Sequence, residues 1–153
     1  MNAAPRAARL VALALLSSLA FLPLLPLLAQ TWPIFQPLER AVTVWFNLHC
    51  ERDPARTPSL LGAPFGVCAR CSGIYFGLGL GALLRWPRLT SSALRRWVLL
   101  AAALMLADVA LERWGVHGSW MAARIFTGLL LAYPVGVGLG AAVVRAPAAA
   151  QRP

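Results

Sequence analysis

Residues 67–84 read VCARCSGIYFGLGLGALL, a Cys-x-x-Cys pair that passes directly into an apolar run with glycine at 73, 77 and 81. From Cys71 to Arg85 no charge intervenes, and a run of this kind reads as a helix in lipid. Glycines at i, i+4 and i+8 lie on one helical face and let a second backbone come close. The same spacing recurs at Gly128, Ala132, Gly136 and Gly140. The two segments are therefore expected to pack against each other, with the Cys-x-x-Cys end of one against the Arg124 end of the other.

The rest of the chain agrees with a membrane setting. Hydrophobic residues make up 59% and charged residues 12% of the 153 positions, and lysine is absent. One small water-soluble core cannot bury that much apolar surface. Residues 10–29, 67–86, 97–114 and 121–144 are apolar stretches that come close to the roughly 20 residues needed to cross a bilayer. The expected fold is all-α: an integral membrane bundle of about four transmembrane helices in a single domain over residues 1–145. One long outer loop is expected at 30–66, and an alanine-proline tail at 146–153 reads as disordered. Pro23 and Pro26 should kink the first stretch. Its length and the lack of an A-x-A site favour a retained span over a cleaved signal peptide.

The formal charge of +9 does not point to nucleic acid, because the arginines sit at the ends of apolar runs and form no basic stripe with interleaved aromatics. Arg6 and Arg9 precede the first stretch, Arg85, Arg88, Arg95 and Arg96 crowd the second connection, and Arg145 and Arg152 follow the last. The positive-inside rule places these regions in the cytoplasm. The connections of mixed sign, including the one with Glu112, Arg113 and His117, then face outward. The expected setting is the inner (cytoplasmic) membrane of a bacterial cell, multi-pass, with both termini cytoplasmic and the lipid bilayer as partner.

The outer loop carries the chemistry. Leu38, Val42, Trp45 and Phe46 recur at helical spacing, so residues 37–48 read as an amphipathic interfacial helix or a segment packed on the bundle. Pro54, Pro58, Gly62, Pro64 and Gly66 mark a turn-rich return. His49 and Cys50 end the first part, and Cys68 and Cys71 follow the second. Three thiolates and an imidazole are a donor set for Zn, and thiolates also suit Cu(I). Asp108 and Glu112 are one turn apart on one helix face. An intramembrane acid needs a partner; Arg124 is the first expected for Asp108 and Arg70 the second.

The run from Cys50 to Gly77, CERDPARTPSLLGAPFGVCARCSGIYFG, resembles the signature of the domain-of-unknown-function 2085 family of bacterial and archaeal membrane proteins. That pattern has Cys-His-Gln, a proline followed by Arg-Ser, and then Cys-Ala-Arg-Cys-Thr-Gly-Ile-Tyr with spaced glycines. The resemblance extends to Asp108 and to Arg124, Thr127 and Gly128, over roughly residues 45–140, and it implies a small polytopic membrane protein. Glu51 and Arg52 replace the family His-Gln, Arg56 and Thr57 stand where Arg-Ser would be, and His49 precedes the cysteine instead of following it.

Three readings of the cysteines stand side by side. The first is an outward-facing metal site formed by His49, Cys50, Cys68 and Cys71. The second is a membrane thiol-disulfide oxidoreductase, in which a helix N-terminus and Arg70 stabilise a thiolate of the Cys68/Cys71 pair. The third is a structural disulfide from Cys50 to Cys68 or Cys71, with no activity. No Gly-x-Ser-x-Gly or His-Glu-x-x-His pattern is present to suggest a hydrolase. The topology is open to direct measurement. In intact cells, after reduction and metal removal, a membrane-impermeant thiol reagent is expected to label the cysteines; labelling only after lysis overturns the orientation.

Overall fold

The structure is a computed structural model that describes residues 4–87, 90–116, 118 and 120–149. It is built from helices α1 (Ala4–Ser18), α2 (Leu25–Thr31), α3 (Gln36–Asn47), α4 (Ala69–Leu84), α5 (Ser91–Arg113) and α6 (Met121–Ala149). Between α3 and α4 lies a short antiparallel hairpin of β1 (Ser59–Leu60) and β2 (Ala63–Pro64). Its turn places Leu61 and Gly62 at positive φ, 53° and 80°, as a tight two-residue hairpin turn requires.

Among the described residues, two segments are long and apolar enough to cross a membrane, Ala7–Thr31 and Met121–Arg145. The other two expected spans fall short for separate reasons. Helix α4 has 16 residues, about 24 Å at 1.5 Å per residue against a hydrocarbon core of about 30 Å. Helix α5 has 23 residues, but Arg95, Arg96, Asp108, Glu112 and Arg113 confine its uncharged part to residues 97–107. Large apolar side chains nevertheless point outward from α1, α5 and α6, among them Leu10, Leu15, Leu99, Leu100, Leu106 and Phe126. Such a belt suits lipid rather than water.

Several boundaries differ from those expected. The first stretch is interrupted by a 3-10 turn at Leu19–Leu24, which contains Pro23, and Pro26 lies in the first turn of α2. Proline has no N–H to continue the helical ladder; the Pro23 carbonyl instead accepts a hydrogen bond from the Gly66 N–H at 2.8 Å. Helix α5 starts earlier than expected, capped by the Thr90 hydroxyl, which accepts from the Ala93 N–H at 3.3 Å. Arg95 and Arg96 are thus helical and not part of the connection. Helix α6 continues through Ala149, as alanine's helix propensity allows, so residues 146–149 of the tail expected to be disordered are helical. Residues 150–153, with Arg152, and also Arg88 and His117, lie outside the described residues.

Helix α4 lies at the centre. On one face, a Cβ at Gly73, Gly77 or Gly81 would run into the backbone of α6 at Ile125, Leu129 or Tyr133; for Gly77 the carbonyl oxygen of Leu129 would be 2.7 Å away. The approach is reciprocal, since Gly128 and Gly136 of α6 face the carbonyls of Arg70 and Leu78. On another face, a Cβ at Gly79 would stand 2.6 Å from Ala20 and 2.8 Å from the Ser17 carbonyl, which seats the N-terminal segment. The predicted pairing of the two glycine-rich helices is therefore present.

At the cysteine end, charges tie α4, α5 and α6 together. Arg70 Nη2 donates to Asp108 Oδ2 at 2.7 Å and to Glu112 Oε2 at 3.1 Å. Arg124, 3% exposed, pairs with the other oxygen of Glu112. The expected Asp108–Arg124 pair is thus replaced by Asp108–Arg70 and Glu112–Arg124. The reason is azimuthal: Arg70 projects from α4 toward α5 and meets both acids, which stand one turn apart.

Two outcomes follow from this packing. Gly73→Ala is expected to cost about 3 kcal/mol or more, because the clash is with backbone. Gly138→Ala, whose nearest neighbour would be the Leu94 side chain at 3.5 Å, is expected to stay within about 0.5 kcal/mol of the parent. Thermal unfolding in detergent compares the two. In a second series, Asp108→Asn and Arg70→Gln are each expected to cost about 1–3 kcal/mol, with a coupling above about 0.5 kcal/mol in the double variant. Strict additivity would show that the pair does not form.

Candidate functional site

The sulfurs of Cys50, Cys68 and Cys71 lie within 4.8 Å of one another. Two segments far apart in sequence bring them together. Cys50 follows the end of α3, where its N–H donates back to the Phe46 carbonyl at 2.9 Å, and it is buried at 8% exposure. Cys68 is the N-cap of α4 and Cys71 sits in its first turn. Phe46, Cys50 and Val67 form a small buried cluster against which Leu22, Val42, Cys68, Cys71 and Tyr75 pack. This cluster, with the Gly66–Pro23 bond, fixes the loop against the end of α4. Phe46 is the only buried residue of α3; Leu38 and Trp45 are exposed, so the expected amphipathic helix is anchored chiefly through Phe46, with Val42 packed beside it.

The local hydrogen bonds favour one anionic sulfur, that of Cys68. The Cys68 N–H donates to Cys50 Sγ at 3.2 Å and ties the two segments together. Cys68 itself lies just before the helix, and its thiol is lowered to about 5, chiefly because the Cys71 thiol donates to it, against burial, which acts the other way. The buried Ser72 hydroxyl donates to the Cys68 carbonyl at 3.1 Å and closes the turn. All three cysteines are free thiols.

His49 stands beside this cluster and not in it. Its Nε2 is 3.2 Å from the Tyr75 hydroxyl, which also accepts from Trp45 Nε1 at 3.4 Å. Its ring packs edge-on against Trp45 and Phe46. Of the supporting residues, Arg70 and Arg124 belong to the charge network, and Arg56 reaches its edge, with Nη2 3.9 Å from Glu112 Oε1 and Nε 3.4 Å from Asp53 Oδ2. Asp108 binds Arg70. Glu112 is the shared carboxylate of three arginines. Tyr75 was not among the expected site residues; its signal was its place four residues after Cys71, on the same face of α4.

A metal fits the donor set. Zn–S bonds of about 2.3 Å at tetrahedral angles put sulfurs about 3.8 Å apart, a contraction of at most about 1 Å from the spacing here. The cluster can equally form one disulfide, with the third thiol left to attack it.

The chain is similar to an uncharacterised protein of Methanothermobacter thermautotrophicus, 36% identical over 104 residues, 64% of this chain and 86% of that one. It is also similar to an uncharacterised protein of Methanocaldococcus jannaschii, 28% identical over 95 residues, 59% of this chain and 60% of the relative. The latter match spans less than two thirds of the relative's length. Both sources are archaeal and give no support to the expected bacterial one. No solved structure matches. Residues 50–138, which hold all three cysteines and the whole charge network, match the model of a family described as a predicted membrane protein; the chain belongs to that family, the domain-of-unknown-function 2085 family.

Proposed function

We propose that this membrane protein holds a soft metal ion, Zn or Cu(I), through the thiolates of Cys50, Cys68 and Cys71. The observation that carries the reading is the meeting of three sulfurs from two distant segments, one of them accepting a backbone N–H. Thiolates select Cu(I) and Zn among the available metals. Cu(I) is satisfied by three sulfurs. Zn takes four donors, and the fourth would be water or His49 released from Tyr75.

In this reading the segment before residue 32, α4, α5 and α6 all cross the bilayer, with α4 shielded between α6 and the N-terminal segment. Both termini are cytoplasmic and the cysteines face outward. Support comes from the all-positive ends of the apolar runs and from the gathering of Asp108, Glu112 and the cysteines at one end of the bundle.

The second reading, thiol-disulfide exchange, is favoured by the lowered Cys68 thiol, since the thiolate is the attacking species. One measurement separates the two. Purified protein reconstituted under reducing conditions with Zn or Cu(I) is expected to retain about one equivalent by elemental analysis. Cys50→Ser, Cys68→Ser and Cys71→Ser are each expected to lower retention at least tenfold, because one of three or four donors is lost. His49→Ala should weaken Zn more than Cu(I). No retained metal, together with a Cys68–Cys71 disulfide that forms and reverses with added oxidant and reductant, would replace the metal reading by the redox one.

A further inference from the structure

On the flank of α4 turned toward α5 is a cavity of about 190 Å³ lined by Arg56, Arg70, Val109, Glu112 and Arg113. Its charges do not balance. Arg56, Arg70, Arg113 and Arg124 are set against Asp53, Asp108 and Glu112, and among the described residues Arg113 pairs with no carboxylate. Of the lining residues, Arg70 keeps a buried Nε–H without a hydrogen-bond partner among the described residues, as does Arg124 on the other side of Glu112, outside the lining. A buried guanidinium donor left unpaired is costly, and a lining with surplus cationic donors is what an oxyanion relieves. Arginine's planar fork matches carboxylate and phosphate oxygens through parallel hydrogen bonds. Glu112 already draws these donors together, because one Nη2 each of Arg56, Arg70 and Arg124 lies within 3.9 Å of its carboxylate.

We propose that this cavity binds a phosphate group, supplied by free phosphate or by the head of an anionic lipid, with Arg56 and Arg113 as its outer clamps and Arg70 at its base. A phosphate is small enough for the cavity and carries up to two charges, more than the single carboxylate already there neutralises. Glu112 then acts as the internal competitor that limits affinity. The inference is independent of the metal reading, since the sulfurs occupy another flank of α4.

The test uses the full chain in neutral detergent and in nanodiscs. Inorganic phosphate and, separately, phosphatidate are titrated, with diacylglycerol as the lipid lacking phosphate, and thermal stabilisation is read as a function of concentration. Saturable stabilisation by inorganic phosphate identifies a soluble source; stabilisation by phosphatidate alone identifies a lipid head. In either case Arg113→Gln and Arg56→Gln, both at exposed positions, are expected to weaken binding about tenfold while far-UV circular dichroism stays unchanged. Glu112→Gln, if it folds, should tighten it. Cys68→Ser should bind like the parent, which separates this site from the thiols. Failure of both probes to bind the parent, or parent-like binding by both arginine variants, overturns the proposal.

Discussion

Everything at the cysteine end of this molecule depends on how closely the backbones of α4 and α6 approach. In hydrocarbon, apolar side chains gain nothing by leaving lipid for each other, so association rests on packing and on polar contacts. Glycine at 73, 77 and 81 of α4, met by 128 and 136 of α6, removes the side chains that would hold the helices apart. The seam also sets axial register. It places the carbonyl of Arg70 against Gly128 and so aligns the first turn of α4 with the first turns of α6, where Arg124 lies.

That single turn presents two kinds of side chain on different flanks. Residues 100° apart around a helix face different neighbours. Cys68 and Cys71 look toward the end of α3, and Arg70, between them in sequence, looks toward α5. The sulfur flank is walled by Phe46, Val67 and Tyr75, a largely apolar lining that leaves Cys68 and Cys71 half-buried. The guanidinium flank is polar and open at its rim. Ser72, fully buried, bonds back to the Cys68 carbonyl and stiffens the turn from within.

Much of this was legible in the sequence, and the losses have identifiable causes. The glycine period announced the helix pair, since small residues at one spacing on two segments have few other uses in lipid. The three cysteines were legible as a group because Cys-x-x-Cys at a helix start fixes two of them together. His49 was not, because the direction of a side chain leaving a helix end depends on the turn that follows, and here Arg52 takes a positive φ of 47°. The acid partners were misassigned between Arg70 and Arg124. Sequence gives the depth of each residue along its helix, and only the packed angle of α4 against α5 reveals which arginine faces Asp108. The hairpin went unseen because strands of two residues are too short to show alternation.

Helix α5 is attached differently from the other two long helices. Side chains join it: Arg70 to its acids at one end, and the Trp97 indole donating to the Leu130 carbonyl at 3.2 Å farther along. A seam made of backbone admits almost no replacement at its glycines, since any added atom forces two whole helices apart. A wall made of side chains can exchange its apolar residues freely so long as the few polar anchors remain. In the course of descent, α4 and α6 would therefore form the inherited frame, while α5 is the part on which mutation can work to fit the protein to a new bilayer or a new neighbour without disturbing the sulfur cluster.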